Sequence, residues 1–167
     1  DMNNKLGIDF SSGSLGNGIS VAAGMAYAFK ADKKKNKVFA LIGDGECDEG
    51  IVWETALFAG HHKLDNLFVI IDYNKLQGFG STDKILNLEP LKPKFESFNW
   101  NVIQTDGHNI LEILRSLKLL NNKKKRPNLL IANTIKGKGV KFMENKFESH
   151  YEVLNEKKYN ISIKNLN

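Results

Sequence analysis

Short unbroken apolar runs alternate along most of the chain with stretches whose apolar residues recur at helical spacing. Residues 38–42 (VFALI) are the first such run, ending at Gly43-Asp44-Gly45, and predict a buried strand. Residues 67–72 (LFVIID), 100–104 (WNVIQ) and 129–134 (LLIANT) predict three more. Residues 50–62 (GIVWETALFAGHH) predict a helix with Trp53, Leu57 and Phe58 on one face. Residues 109–121 predict another, with Ile110, Ile113, Leu114 and Leu117 at i, i+3, i+4 and i+7, and Asp106-Gly107-His108 as the turn leading in. Before them, residues 17–31 (NGISVAAGMAYAFKA) predict a small-residue helix suited to close packing. The alternation indicates an α/β fold, a mainly parallel sheet flanked by helices. Residues 1–154 read as the domain, and residues 155–167 as a loosely held Lys/Asn-rich tail.

The 167 residues suffice for one sizeable core, and 41% hydrophobic residues exclude a disordered chain. The apolar runs are far too short to span a bilayer, so no membrane partner is expected. The lone Cys47 excludes a disulfide framework and a multi-Cys zinc site. Nothing resembles a signal peptide, and a cytoplasmic location is expected. The net charge of +5 comes almost entirely from lysine, with Arg115 and Arg126 the only arginines. Nucleic-acid readers interleave arginine and aromatic residues with their basic patches. Lys33-Lys34-Lys35 and Lys123-Lys124-Lys125-Arg126 stand beside asparagine instead, which reads as solvated loops rather than a nucleic-acid site.

In parallel sheets ligands sit outside the carboxyl ends of the strands. Three loops there carry candidate chemistry: Gly43-Asp44-Gly45, the stretch from Asp72 to Gly78, and Lys136-Gly137-Lys138-Gly139. A glycine-rich turn, Gly13 to Gly18, leads into the first helix. A dinucleotide fingerprint would need glycine at position 48, where Asp48 stands, and no P-loop occurs. An acidic glycine loop points instead to phosphate held through a metal ion. Asp44 is the natural ligand and Asn74 a second oxygen donor, one β-α-β unit further on. Mg²⁺ suits such donors, and Ca²⁺ or Mn²⁺ would also be accepted. Asp44 alone also fits a plain turn, and Asn74 alone a strand-end cap. His61-His62 read as a helix C-terminal cap, His108 as shaping a turn, Glu49 and Glu54 as first-turn helix acids, and Cys47 as inert.

GDGECDEGIVWE, followed by Asp72-Tyr73-Asn74, resembles the thiamine diphosphate signature in its transketolase form. The turn GSLGNG, KLDN (63–66), DGH (106–108) and TIKGKGV (134–140) resemble the same family, from about residue 7 to about residue 154. Pyruvate dehydrogenase E1 and deoxyxylulose-phosphate synthase share GDG but not this combination. The resemblance implies the thiamine diphosphate-binding (PP-type) fold without its N-terminal portion. It implies that Asp44 and Asn74 bind Mg²⁺ through side chains and Leu76 through its carbonyl, with Gly43 and Gly45 at the diphosphate. Gly13, Ser14 and Leu15 would line the cofactor, Leu15 against its rings. Glu49 would reach toward a neighbouring subunit's catalytic glutamate. His150 would lie near diphosphate and substrate, with Lys136 on the same loop.

The reaction so implied is transfer of a two-carbon ketol unit between sugar phosphates, as in the pentose phosphate pathway and related carbohydrate metabolism. The family's upstream segment and its pyrimidine-binding domain are not found in this sequence. The expectation is a fragment of a split N-terminal subunit, inactive without a pyrimidine-binding domain or C-terminal subunit, in a dimeric or heterotetrameric assembly. Gln77-Gly78-Phe79-Gly80 resembles the form in small split members, which leaves the sugar open. Trp53, Phe58, Phe68 and Phe79 are expected at an interface. The alternative is a non-catalytic scaffold or regulatory homologue; intact Asp44, Asn74 and Glu49 favour the enzyme. Polyanion binding through the lysine clusters is a third reading.

Overall fold

A computed structural model describes residues 4–122 and 125–166, so Asp1, Lys123 and Lys124 lie outside the described residues. The elements are α1 (Asn17–Ala31), β1 (Val38–Gly43), α2 (Gly50–His61), β2 (Leu67–Tyr73), β3 (Leu76–Gln77) and β4 (Gly80–Ser81). They continue with α3 (Thr82–Ile85), α4 (Leu91–Ser97), β5 (Asn101–Asp106), α5 (Ile110–Asn121), β6 (Asn128–Asn133) and α6 (Glu156–Leu166). Four strands form one parallel sheet in the order β1-β2-β6-β5, and β3 and β4 make a separate antiparallel hairpin. The register sets Gly43 opposite Asp72, and Asn133 beside both Tyr73 and Asp106. The loops that carry candidate chemistry therefore leave the sheet along one row.

Both sheet faces are apolar because helices cover both. On one face, Ala40, Ile42, Val69, Ile71, Leu129 and Ile131 share a core with buried residues of α1, α2 and α4. Trp100 closes that core and satisfies its indole N–H on the Ala56 carbonyl at 2.9 Å. On the other face, Phe68, Leu130 and Leu120 form a second cluster under α5, with Ile70, Ile103, Ile113 and Leu117 at its margin. Phe39 and Leu41 of β1 stay 56% and 73% exposed, and the Phe39 ring stacks on Phe68 at 5.0 Å. No helix of the described residues is long and apolar enough to cross a membrane.

Several expectations are corrected here. The buried face of α2 is Val52, Thr55, Ala56, Ala59 and Gly60, whereas Leu57 and Phe58 are exposed. Small side chains let α2 approach Ala22, Ala23 and Ala26 of α1, and the bulky residues are left at the flank. There Tyr27, Phe58 and His62 cluster, the Phe58 and His62 rings 4.4 Å apart. Phe68 is not at a surface, being 2% exposed beneath α5. Trp53 packs partly buried against the main core, its ring 5.2 Å from that of Phe95. On α5 itself Ile110 and Leu114 face outward, and the packing passes to Ile113, Leu117 and Leu120. The Lys/Asn-rich tail is helical over Glu156–Leu166. Asn155 starts this helix by accepting the Lys158 amide at 2.9 Å, Lys158 pairs with Glu152, and Ser162 is buried.

Candidate functional site

β1 ends at Gly43, and a single 3-10 turn, Asp44–Asp48, follows it. Asp44 is 1% exposed, and its Oδ2 accepts the Lys75 amide at 2.5 Å. Burial pushes its carboxyl up to about 6; amides of Lys75, Gly45 and Asn74 oppose that shift, and the Asp72 charge adds to it. Beside it, Asn74 Oδ1 accepts the Leu76 amide at 2.9 Å, an Asx turn that reverses the chain into β3. Asn74 Nδ2 donates to Asp72 Oδ1 at 3.4 Å, and the Thr134 hydroxyl donates to the same oxygen. Asn74 is thus a turn residue and a neighbour of Asp44 at once. The turn after β1, the turn after β2 and the start of the loop after β6 meet at one place.

The glycine turn before α1 joins them through Glu46. Its Oε1 accepts the Gly43 amide at 3.0 Å and its Oε2 the Gly16 amide at 2.9 Å. Gly16 has φ +76°, and a Cβ there would lie 2.7 Å from Ile51 Cγ2 and 3.1 Å from Glu49 Cβ. Gly13, Ser14 and Leu15 are therefore held beside the Asp44 turn, with Leu15 56% exposed and Ser14 Oγ accepting Asn17 Nδ2 at 2.6 Å. Glu49 is exposed at the head of α2. Gln77 Nε2 donates to Asp48 Oδ2 at 3.0 Å, tying β3 to the same turn. On the far side Lys136 Nζ lies 3.3 Å from His150 Nδ1, and the 3-10 turn Phe147–His150 packs against β3.

The three candidate loops and the glycine turn lie at one end of the sheet. Glu46 and the ring of His108 are additions to the sequence reading. Glu46 was detectable, since an acid three residues after a turn-forming glycine has capping-box spacing. His108 does more than shape its turn: Asp106 Oδ1 accepts its amide at 2.8 Å, and its ring reaches Ile135. No local pattern announces that reach. His61 and His62 stay apart from the site, and the His62 amide closes the C-terminus of α2 on the Phe58 carbonyl at 3.0 Å. Cys47 is fully buried, its thiol pushed up to about 12 by burial and then by neighbouring acids, in keeping with an inert residue.

A hard divalent cation suits this corner. The groups acting on Asp44 are backbone amides and another carboxylate, and the oxygen donors beside it are the Asp72 carboxylate and the Asn74 amide oxygen. Among the described residues no three acidic, histidine or cysteine side chains are arranged to hold a metal ion by themselves.

The family model of the transketolase thiamine diphosphate-binding domain matches residues 1–166. A 6-deoxy-6-sulfo-D-fructose transketolase subunit of Clostridium sp. (strain MSTE9) is 44% identical over 166 residues, 99% of this chain and 60% of that protein. An apulose-4-phosphate transketolase subunit of Phocaeicola vulgatus is 39% identical over 158 residues, 95% of this chain and 56% of that protein. This chain thus spans a little over half the length of these two relatives. The crystal structure of a Campylobacter jejuni transketolase superposes with a TM-score of 0.90 at 32% identity, over 98% of this chain and 27% of that one.

Proposed function

Because this chain belongs to the transketolase thiamine diphosphate-binding domain family, we propose that it is the diphosphate- and cation-binding part of an enzyme that transfers a two-carbon ketol unit between sugar phosphates. The observation that carries this reading is the buried carboxylate of Asp44 set against the Asn74 turn. Asp44 and Asn74 would hold the cation through their side chains and Leu76 through its carbonyl. Gly43, Gly45 and the Gly13–Leu15 turn would line the diphosphate and thiazolium, and Lys136 and His150 would offer it positive charge and hydrogen bonds. Thiamine diphosphate, when bound, supplies the electron sink for the two-carbon unit cut from the donor ketose. This chain's contribution is orientation and charge placement.

Glu49, exposed at the head of α2, would reach toward a pyrimidine-binding domain or C-terminal subunit that completes the site. The curated relatives named for sulfonated and phosphorylated ketoses support an anionic sugar as substrate. Calorimetric titration of thiamine diphosphate into the folded chain, with and without Mg²⁺, tests the proposal. Metal-dependent binding that disappears in Asp44→Ala is the expected result. Binding indifferent to both metal and Asp44 would sink it.

A further inference from the structure

The loop after β6 carries Lys136 toward His150, and its backbone is held from both sides. Upstream, the Thr134 amide donates to the Tyr73 carbonyl at 3.1 Å. Downstream, the Lys136 carbonyl accepts the Asn145 amide at 3.0 Å. Between these anchors the Ile135 amide donates at 2.8 Å to a side chain, the Nε2 of His108. His108 comes from the turn after β5, and that turn is pressed onto the loop. The Gly107 amide donates to the Asn133 carbonyl at 2.8 Å, and a Cβ on Gly107 would lie 2.5 Å from Thr134 Cγ2. The Asp106 carboxylate in turn accepts the His108 amide at 2.8 Å, so the backbone that bears the imidazole is itself fixed.

We propose that His108 is a positioning residue: its unprotonated Nε2 holds the Ile135 amide and thereby sets Lys136 beside His150. The chemistry demands one tautomer. An Nε2 that accepts must leave the proton on Nδ1, whereas a proton on Nε2 would set one N–H against another. Through Lys136 this arrangement bears on diphosphate binding, which rests on the function proposed above.

Two variants of the full chain separate the roles. His108→Leu removes the acceptor, and His108→Gln returns an acceptor oxygen at similar reach. ¹⁵N NMR of the wild-type ring should show an unprotonated Nε2 and a protonated Nδ1. Amide exchange at Ile135 should speed about tenfold or more in His108→Leu, unchanged at Leu130 and Ile131, and recover in His108→Gln. Affinity for thiamine diphosphate with Mg²⁺ should fall about tenfold in the leucine variant, the size of one lost hydrogen bond, and recover in the glutamine variant. A protonated Nε2, or Ile135 exchange indifferent to both substitutions, would overturn the proposal. Wild-type chain that binds no thiamine diphosphate would instead overturn the functional reading, and the tautomer and exchange results would still decide the role of His108.

Discussion

Asp44 and Lys75 are joined by a 2.5 Å hydrogen bond from the Lys75 amide to the Asp44 carboxylate, so the acid that ends β1 is gripped by the turn that ends β2. Amides satisfy the carboxylate without neutralising it. The charge is kept, buried, in the place where a cation would discharge it.

The metal-free chain should therefore lose stability as pH rises. Asp44 titrates at about 6 when folded against 3.8 as a free side chain, so the folded state binds the proton more tightly. Below about pH 4 both states are protonated and the cost is absent; it grows through the interval and is complete above about pH 6. Asp44→Asn should remove up to about 3 kcal/mol of that cost. In thermal melts with chelator, the variant should exceed wild type at pH 7.5 and match it at pH 4. Added Mg²⁺ should raise the wild-type melting temperature and leave the variant's unchanged.

Glu46→Ala should release the glycine turn from the Asp44 turn. Two amides lose a carboxylate acceptor, and a cost of about 2 kcal/mol is expected for this half-buried group. The urea midpoint reads it. Glu46→Gln, which retains one acceptor oxygen, should fall between alanine and wild type.

Cys47 should ignore thiol reagents. With the thiol pushed up to about 12 and no exposed surface, dithionitrobenzoate at pH 8 should find no reactive group in the native chain. One equivalent should react after denaturation in urea. Rapid native labelling would contradict the packing around the Asp44 turn.

Two phenylalanines should behave oppositely. Phe68→Ala opens a cavity under α5 and should cost about 3–4 kcal/mol in chemical denaturation. Phe79 is 84% exposed at the tip of the β3–β4 hairpin, and Phe79→Ser should change stability by less than about 0.5 kcal/mol.

What was legible in the sequence follows from where the physics is local. The four main strands are apolar runs bounded by Gly, Asn or Asp, and their limits fall within two residues of expectation. Helix α1 spans the expected residues 17–31 because the glycine turn precedes it and the lysine run follows. The hairpin of β3 and β4 has two residues a side, too few to show a period, and α4 buries only Leu91 and Phe95 amid polar neighbours. The face of α2 misled because small residues make its contacts. In the site, Asp44 and Asn74 were readable as one β-α-β spacing. The reach of His108 to Ile135 and of Glu46 to Gly16 joins residues 27 and 30 positions apart, and only the assembled sheet reveals them.

Chain order and spatial order part company at one point in the sheet: β5 precedes β6, yet β6 lies between β2 and β5. Until residues 128–133 have been made, β5 has no strand to pair with and β2 lacks one flank. An N-terminal fragment stopping short of β6 would therefore keep β5 only through its side-chain packing, such as the Trp100 indole on Ala56, with no strand ladder to hold it. The strand that joins β2 to β5 is also the one whose exit loop carries Lys136, so closure of this sheet and placement of that loop are a single event.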